Sequence, residues 1–436
     1  MPAKFVLIIL DGLGDRSFRR LGNMTPLQAA HTPFLDRISA MGANGLFHAS
    51  LHGQALPSEN AHFSMLGYDQ RDFPGRGALE ALGAGIDPGK HGVAVLAHFV
   101  NVLEEEGRLR LVMDKVAAEP EDAGRAFREI AWYERGKISI ELVPTKGLFG
   151  IVLLKGNVSP YITDSNPILD GRLLTKIRPW ADYSHHGPSI DAAESLNKYL
   201  SCSHKKLEKA GFNRERAQKG LPALNALVTQ RAGRLKDVVP FSRKFGLRGA
   251  SISSGAVYSG LCRYLGLDTP EAPETSDPGL EISKRIEKAA DLIDRYDFLH
   301  IHSKAPDEAA HRKDPVLKRD VIQKLDRGLA RSLPGLLQRK DLILAVTSDH
   351  STPSKGKMVH CGEPVPLTIC GPGVRVDPVE RFDEVSASRG ALGFVRGGEF
   401  MYMVLNYLDR GKLAGLMDTP HDQPYWPGCS EPFELV

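Results

Sequence analysis

Three aspartates and three histidines stand where apolar runs give way to short polar motifs. They are Asp11 in LDGLGDR, Asp307 and His311 in KAPDEAAH, Asp349 and His350 in TSDH, and His360 in KMVHCGEP. Mixed oxygen and nitrogen donors of this kind suit zinc or manganese, and with Ser58 of LPSENAHF they make seven ligands, enough to be shared by two ions. Each residue alone has a plainer reading. An aspartate before a glycine forms turns, which covers Asp11. Ser58, where a short helix is expected to begin, suits an N-cap as well as a nucleophile. The four-residue step from Asp307 to His311 puts both on one face if that segment is helical. His48, His52, His185 and His186 read as surface or packing residues.

The elements that would position these groups are legible as alternating patterns. FVLIIL (5–10), DFLHIH (297–302), LILAVTSDH (342–350) and PLTICGPG (366–373) are apolar runs of the kind that form strands covered on both faces. Between them, 276–296 and 315–333 carry apolar residues at helical spacing. Strands alternating with helices predict an α/β core with a mostly parallel sheet, and in such sheets ligands gather beyond the strand C-termini, where these motifs lie. The segments 93–113 and 136–156 instead read as short β-rich stretches with hairpin breaks. They predict a smaller α+β domain, 88–190, inserted into a core of 1–87 and 191–436 and serving as the substrate-binding cap.

Composition excludes several classes. The chain of 436 residues is 42% hydrophobic and 25% charged, which supports a soluble globular protein with a large core. The 56 basic and 53 acidic residues are interleaved, giving a net charge of +3, so nucleic acid is not an expected partner. The early run KFVLIIL is too short to span a bilayer and has no cleavage signature, so no membrane association is expected and the location is read as cytoplasmic. Cys202, Cys262, Cys361, Cys370 and Cys429 show no CxxC spacing and are expected as reduced thiols. No feature predicts the oligomeric state.

Taken together, LDGLGDR (10–16), PSENAHFSMLGYD (57–69), GRGALEALGAG (75–85), KAPDEAAHRKD (304–314) and TSDHSTPSKGKMVHCGEPVP (347–366) resemble the successive motifs of the archaeal-type, cofactor-independent (2,3-bisphosphoglycerate-independent) phosphoglycerate mutases of the alkaline phosphatase superfamily. The similarity continues through LPALNALVTQRAG (221–233) and 244–267, so it spans nearly the whole chain. The resemblance implies an alkaline-phosphatase-like core and two divalent ions, manganese or zinc first, cobalt or magnesium also compatible. It places Asp307, His311 and His360 on one ion and Asp11, Asp349 and His350, with the oxygen of Ser58, on the other. It further implies transfer of a phosphoryl group from 3-phosphoglycerate to Ser58 and back to give 2-phosphoglycerate, a glycolytic isomerisation, with Lys304 balancing phosphate charge and Arg231 near the substrate.

The insert departs from the family pattern. Gly92, Leu96 and His98 stand where an aspartate, an arginine and an asparagine are expected. Leu148-Phe149 replaces a His-Arg pair, and DSNPI (164–168) brings Asn166 and Ile168 into a D-T-D-P-H motif. VMDKVAAEP (112–120) replaces an arginine-rich stretch, and Glu59 replaces the aspartate after the serine. Arginine forks grip planar anions bidentately, and leucine or phenylalanine cannot. The alternative expectation is therefore a phosphatase, phosphotransferase or phosphonate-processing enzyme with another substrate. A non-catalytic metal-binding or regulatory protein is the third reading, disfavoured by the complete ligand set.

Overall fold

The structure, a computed structural model, describes residues 3–271, 274–411 and 433–435. Its strands are β1 Lys4–Leu10, β2 Gly42–His48, β3 Val93–Glu105, β4 Arg108–Met113, β5 Trp132–Arg135, β6 Ile138–Pro144, β7 Phe149–Lys155, β8 Ala226–Gly233, β9 Gly249–Ile252, β10 Phe298–Ser303, β11 Leu342–Thr347, β12 Val365–Cys370 and β13 Gly393–Arg396. The chain divides into two compact units, Met1–Phe73 with Val238–Val436, and Pro74–Asp237.

The first unit holds a seven-stranded sheet in the order β13-β2-β12-β11-β1-β10-β9. β1 runs parallel to both β10 and β11, and β9 parallel to β10, so the ends of β1, β10 and β11 open at the same edge. The mostly parallel α/β core expected from the sequence is thus found, with β12 antiparallel to both of its neighbours. Every residue of β1, β10 and β11 is buried, which is why these strands read as unbroken apolar runs. Val6, Ile8 and Leu10 pack with Ile282 and Ile286 of the helix Pro278–Leu292 and with Ile322, Leu325 and Leu329 of the helix Pro315–Leu337. Burying each such side chain contributes about 1.5–3 kcal/mol. Both helices start on an aspartate cap followed by proline. Asp277 accepts from Leu280 N–H and Asp314 from Val316 N–H.

The second unit is an antiparallel sheet in the order β4-β3-β7-β6-β5, with β8 on the other side of β3. The 13-residue β3 organises it: its first half pairs with β7 and β8, and its second half forms a hairpin with β4. Glu106 and Gly107, both at positive φ, make that turn. The helix Gly187–Lys209 covers this sheet through Ala192, Leu196 and Tyr199. The unit therefore extends beyond the 88–190 segment marked from sequence, because the helix Arg76–Gly83, the helix Gly187–Lys209 and β8 all pack on its sheet. Among the described residues no helix is long and apolar enough to cross a membrane. Cys202, Cys262, Cys361 and Cys370 are free thiols, and Cys429 lies outside the described residues.

Candidate metal centre

The parallel strands deliver the polar residues to one place. Asp11 directly follows β1, Asp307 lies in the helix Ala305–His311 just after β10, and Asp349 and His350 follow β11. Ser58 opens the helix Ser58–Met65 after β2. Ligand atoms of Asp11, Asp349 and His350 lie within 4.8 Å of one another, and so do those of Asp307, His350 and His360. His350 is common to both groups. His311, exposed at the end of its helix, brings Nε2 to 3.3 Å from Asp307 Oδ1. Five of the candidate residues thus converge, with His311 outside both groups but beside Asp307, to which it is joined across one turn of the helix.

Ser58 is not a helix cap. Pro57 occupies the N-cap position, and Ser58 Oγ instead lies 2.7 Å from His350 Nε2. The Thr352 hydroxyl donates to Asp307 Oδ1 (2.8 Å), so it accepts from His350 Nδ1–H (3.1 Å), and Nε2 of His350 is the ring nitrogen turned toward Ser58 Oγ. Similarly, His360 Nδ1–H donates to the Leu56 carbonyl at 2.8 Å, leaving its Nε2 with a lone pair 3.7 Å from Asp307. Fixing one ring nitrogen so that the other can act as ligand is the usual arrangement around metal-binding histidines.

Electrostatics tests whether cations fit. Asp11 Oδ1 and Asp349 Oδ2 are fully buried and accept no hydrogen bond, although His350 Nε2 stands 3.3 and 3.2 Å away. Burial disfavours the charged form of His350, yet the surrounding carboxylates of Asp349, Asp11 and Asp307 push it up to about 9. Burial also works against Asp11, but the hydrogen bond from His302 and the nearby His350 hold it well below the usual carboxylate range. A buried site with three carboxylates and two orphaned anionic oxygens attracts positive charge, and the residues fit divalent ions.

A second layer, not anticipated from sequence, orients these ligands. Tyr258 donates to Asp11 Oδ2 at 2.6 Å and His302 Nε2 does so at 3.2 Å. His62 Nδ1–H donates to the Ser58 carbonyl at 3.0 Å and lies 3.3 Å from Asp349 Oδ2. Gly12, at φ +62°, donates to Asp349 Oδ1, and a Cβ there would sit 2.6 Å from Thr352 Oγ1 and 2.8 Å from Asp307 Cβ. The fully buried Lys318 donates to the carbonyls of Gly14 and Thr352 at 2.8 Å each and to Asp15 at 3.3 Å, tying the loop after β1 to the loop after β11. Two of these had a readable signal: His62 is one helical turn after Ser58, and His302 is set apart in β10 by period-two alternation.

Lys304 is half-buried before the helix Ala305–His311 and forms no ion pair among the described residues. Arg231 is in the other unit, on β8 at φ +58°, with its N–H donating to Asp164 at 2.7 Å. The substituted positions of that unit have settled into local structure. Leu96 is buried with Ala81, Ala94, Ile151 and Leu153. His98 is buried and donates to Asp114 at 2.9 Å, with the exposed Phe149 ring 5.3 Å from it. At Gly92 a Cβ would come within 2.0 Å of the Pro88 carbonyl, so this backbone excludes an aspartate.

A family model described as the Metalloenzyme superfamily matches residues 3–407. A 2,3-bisphosphoglycerate-independent phosphoglycerate mutase of Methanocaldococcus jannaschii is 36% identical over 435 residues, covering 98% of each chain. One from Methanopyrus kandleri is 33% identical, covering 94% of this chain and 97% of its own. Among solved structures, a Pyrococcus horikoshii protein superposes with a TM-score of 0.78 at 29% identity, covering 95% of this chain and all of its own. The cofactor-independent phosphoglycerate mutase of Thermoplasma acidophilum does so with a TM-score of 0.64 at 30% identity, over 93% of this chain and all of its own. With its converging carboxylates and imidazoles, the chain belongs to the metalloenzyme superfamily and, within it, to the family of the archaeal 2,3-bisphosphoglycerate-independent phosphoglycerate mutases.

Proposed function

We propose that this protein is a metal-dependent phosphoryl-transfer enzyme that converts 3-phosphoglycerate into 2-phosphoglycerate through a phosphoserine at Ser58. The observation that carries the reading is the position of Ser58 Oγ, 2.7 Å from His350 Nε2 in the group where Asp11 and Asp349 converge. Relatives that bear the mutase name over nearly their full length support the substrate. Asp307, His311 and His360 would hold one divalent ion, and Asp11, Asp349, His350 and Ser58 Oγ the other. Bound there, manganese or zinc would lower the pKa of the serine hydroxyl and offset phosphate charge.

The remaining steps belong to the chain itself. Ser58 Oγ forms its bond to phosphorus as the bond from phosphorus to the 3-oxygen breaks. The serine proton is lost and the freed substrate oxygen is protonated. In return, the neighbouring 2-hydroxyl attacks the phosphoserine, loses its proton and regenerates the Ser58 hydroxyl. Lys304 supplies a cation for the phosphate, and Arg231 is assigned to substrate binding by the family motif. The substrate is a small phosphorylated acid, and the expected setting is the cytoplasm.

A second reading has its own support. Leu96, the His98–Asp114 pair and Phe149 stand where arginine and other polar anion-binding groups would grip phosphate and carboxylate. Each charged hydrogen bond absent from the clamp weakens binding by about 1.5–3 kcal/mol. An intermediate held that loosely escapes before the phosphoryl group returns, which favours hydrolysis or another phosphoester. Phosphorus NMR of manganese-loaded protein with 3-phosphoglycerate separates the readings. A growing 2-phosphoglycerate signal supports the mutase, inorganic phosphate alone supports hydrolysis, and an unchanged spectrum overturns the assignment of this substrate.

A further inference from the structure

The second unit contains a cavity of about 720 Å³ that the phosphoryl chemistry does not use. Its walls are the β3–β4 hairpin around Gly107, the segment 173–176 and one face of the helix Gly187–Lys209, all inside this unit. Its volume suits a nucleotide-sized or drug-sized molecule. Buried Ala226 and Leu227, with Leu109, Leu174 and Leu200, give it apolar surface.

Charge around this surface has a positive excess. Arg108, Lys176, Lys205 and Lys209 line the cavity, and none forms an ion pair among the described residues. Two carboxylates, Glu104 and Glu208, also line it, so four cations face two anions. Glu208 is already engaged by Asn225 Nδ2. His204, 7% exposed, supplies a built polar group: its Nδ1–H donates to the Asn225 carbonyl at 2.7 Å. That leaves Nε2 without a hydrogen-bond partner, its nearest charged neighbour being Glu104 at 3.9 Å. Nε2 is not sealed from solvent, so it is accessible to a ligand in the cavity.

We propose that this cavity is a second binding site, for a small organic anion with an apolar or aromatic body. The anionic group would meet Lys205, Lys209 and Arg108, and the body would lie on Leu200 and Leu227. The inference is independent of the reaction assigned to the metal centre.

The probe that tests it is 1-anilinonaphthalene-8-sulfonate, an aromatic sulfonate, titrated into the full-length protein and followed by fluorescence. One site per chain is expected, with binding weakened at least tenfold in a Lys205→Glu/Lys209→Glu double variant. Leu200→Asn should weaken it comparably by removing the apolar contact. Both changes are on the exposed or half-exposed side of a long helix, and circular dichroism checks that the fold is kept. Turnover at the metal centre should be unchanged. Equal affinity in wild-type and variant proteins, competition by 3-phosphoglycerate, or a variant-induced change of oligomeric state by size-exclusion chromatography would each overturn the proposal.

Discussion

At the C-terminal ends of β1, β10 and β11, polar side chains are held by other buried polar side chains: Asp11 by Tyr258 and His302, Asp307 by Thr352, and Asp15 by Lys318. Along β3 and β7 of the other unit, the substituted positions are instead filled by a leucine in an apolar cluster, an exposed phenylalanine and a histidine closed onto an aspartate. The first region is constrained from several elements at once, so losing one group strands others in a low-dielectric interior. The second is local, with its changes absorbed by neighbours on the same sheet. On the proposed function, chemistry at the phosphorus would thereby be separated from recognition of what carries it, and the two should respond differently to substitution.

The largest effect should come from Ser58→Ala. On the covalent reading it removes the group that accepts phosphorus, and turnover should fall by about three orders of magnitude or more with the fold retained. Near-wild-type turnover in a phosphate-release or coupled mutase assay would refute the phosphoserine. Next is Lys318→Met, which leaves the Asp15 carboxylate buried without its cation. Breaking such a pair costs about 3–5 kcal/mol, read as a lower urea midpoint with an unchanged slope. If stability barely moved, the buried polar framework would not be what constrains this region.

Metal addition tests the same region more gently. Manganese at a hundredfold excess over its dissociation constant should stabilise the folded protein by about 2.7 kcal/mol, and chelation should reverse this. A thermal midpoint indifferent to manganese, zinc and chelator would argue against the ion sites. For the other region, Phe149→Arg is the corresponding probe, because Phe149 is 53% exposed and can be replaced without opening the core. If loss of the arginine clamp limits the mutase reaction, kcat/KM for 3-phosphoglycerate should rise about tenfold, near the lower bound for a charged hydrogen bond. No rise would favour a different substrate.

The contrast also explains what could be read without coordinates. β1, β10 and β11 were legible because burial on both faces leaves an unbroken apolar signature, and Asp11, Asp349 and His350 because each closely follows such a strand. Tyr258, Thr352 and Lys318 were not, because their partners lie 247, 45 and 303 residues away and no local spacing encodes that approach. The antiparallel course of β12 was hidden for a related reason: a strand buried on both faces looks the same in either direction. In the second unit, β8 pairs with β3 across more than a hundred residues. Its membership of that sheet, and hence the unit's wider bounds, depends on a partner that periodicity does not name.

The smallest expected effect is the most specific to the buried framework. Glu384 accepts from Asp15 N–H and from the Thr25 hydroxyl, and burial raises its pKa from 4.5 to about 7, with Lys318 opposing the rise. Between pH 4.5 and 7 the folded state therefore holds a proton that the unfolded chain has released. Its contribution is full below 4.5, is lost as pH rises to about 7, and changes no further above that. Discounted for the half-buried position, the loss is on the order of 1 kcal/mol. Glu384→Gln keeps an acceptor for Asp15 and removes the titration, so the difference between variant and wild-type stability should grow in the variant's favour from pH 4.5 to 7 and then level. Parallel stability curves across that window would mean that Glu384 is charged in the folded protein, and that Lys318 balances two carboxylates there instead of one.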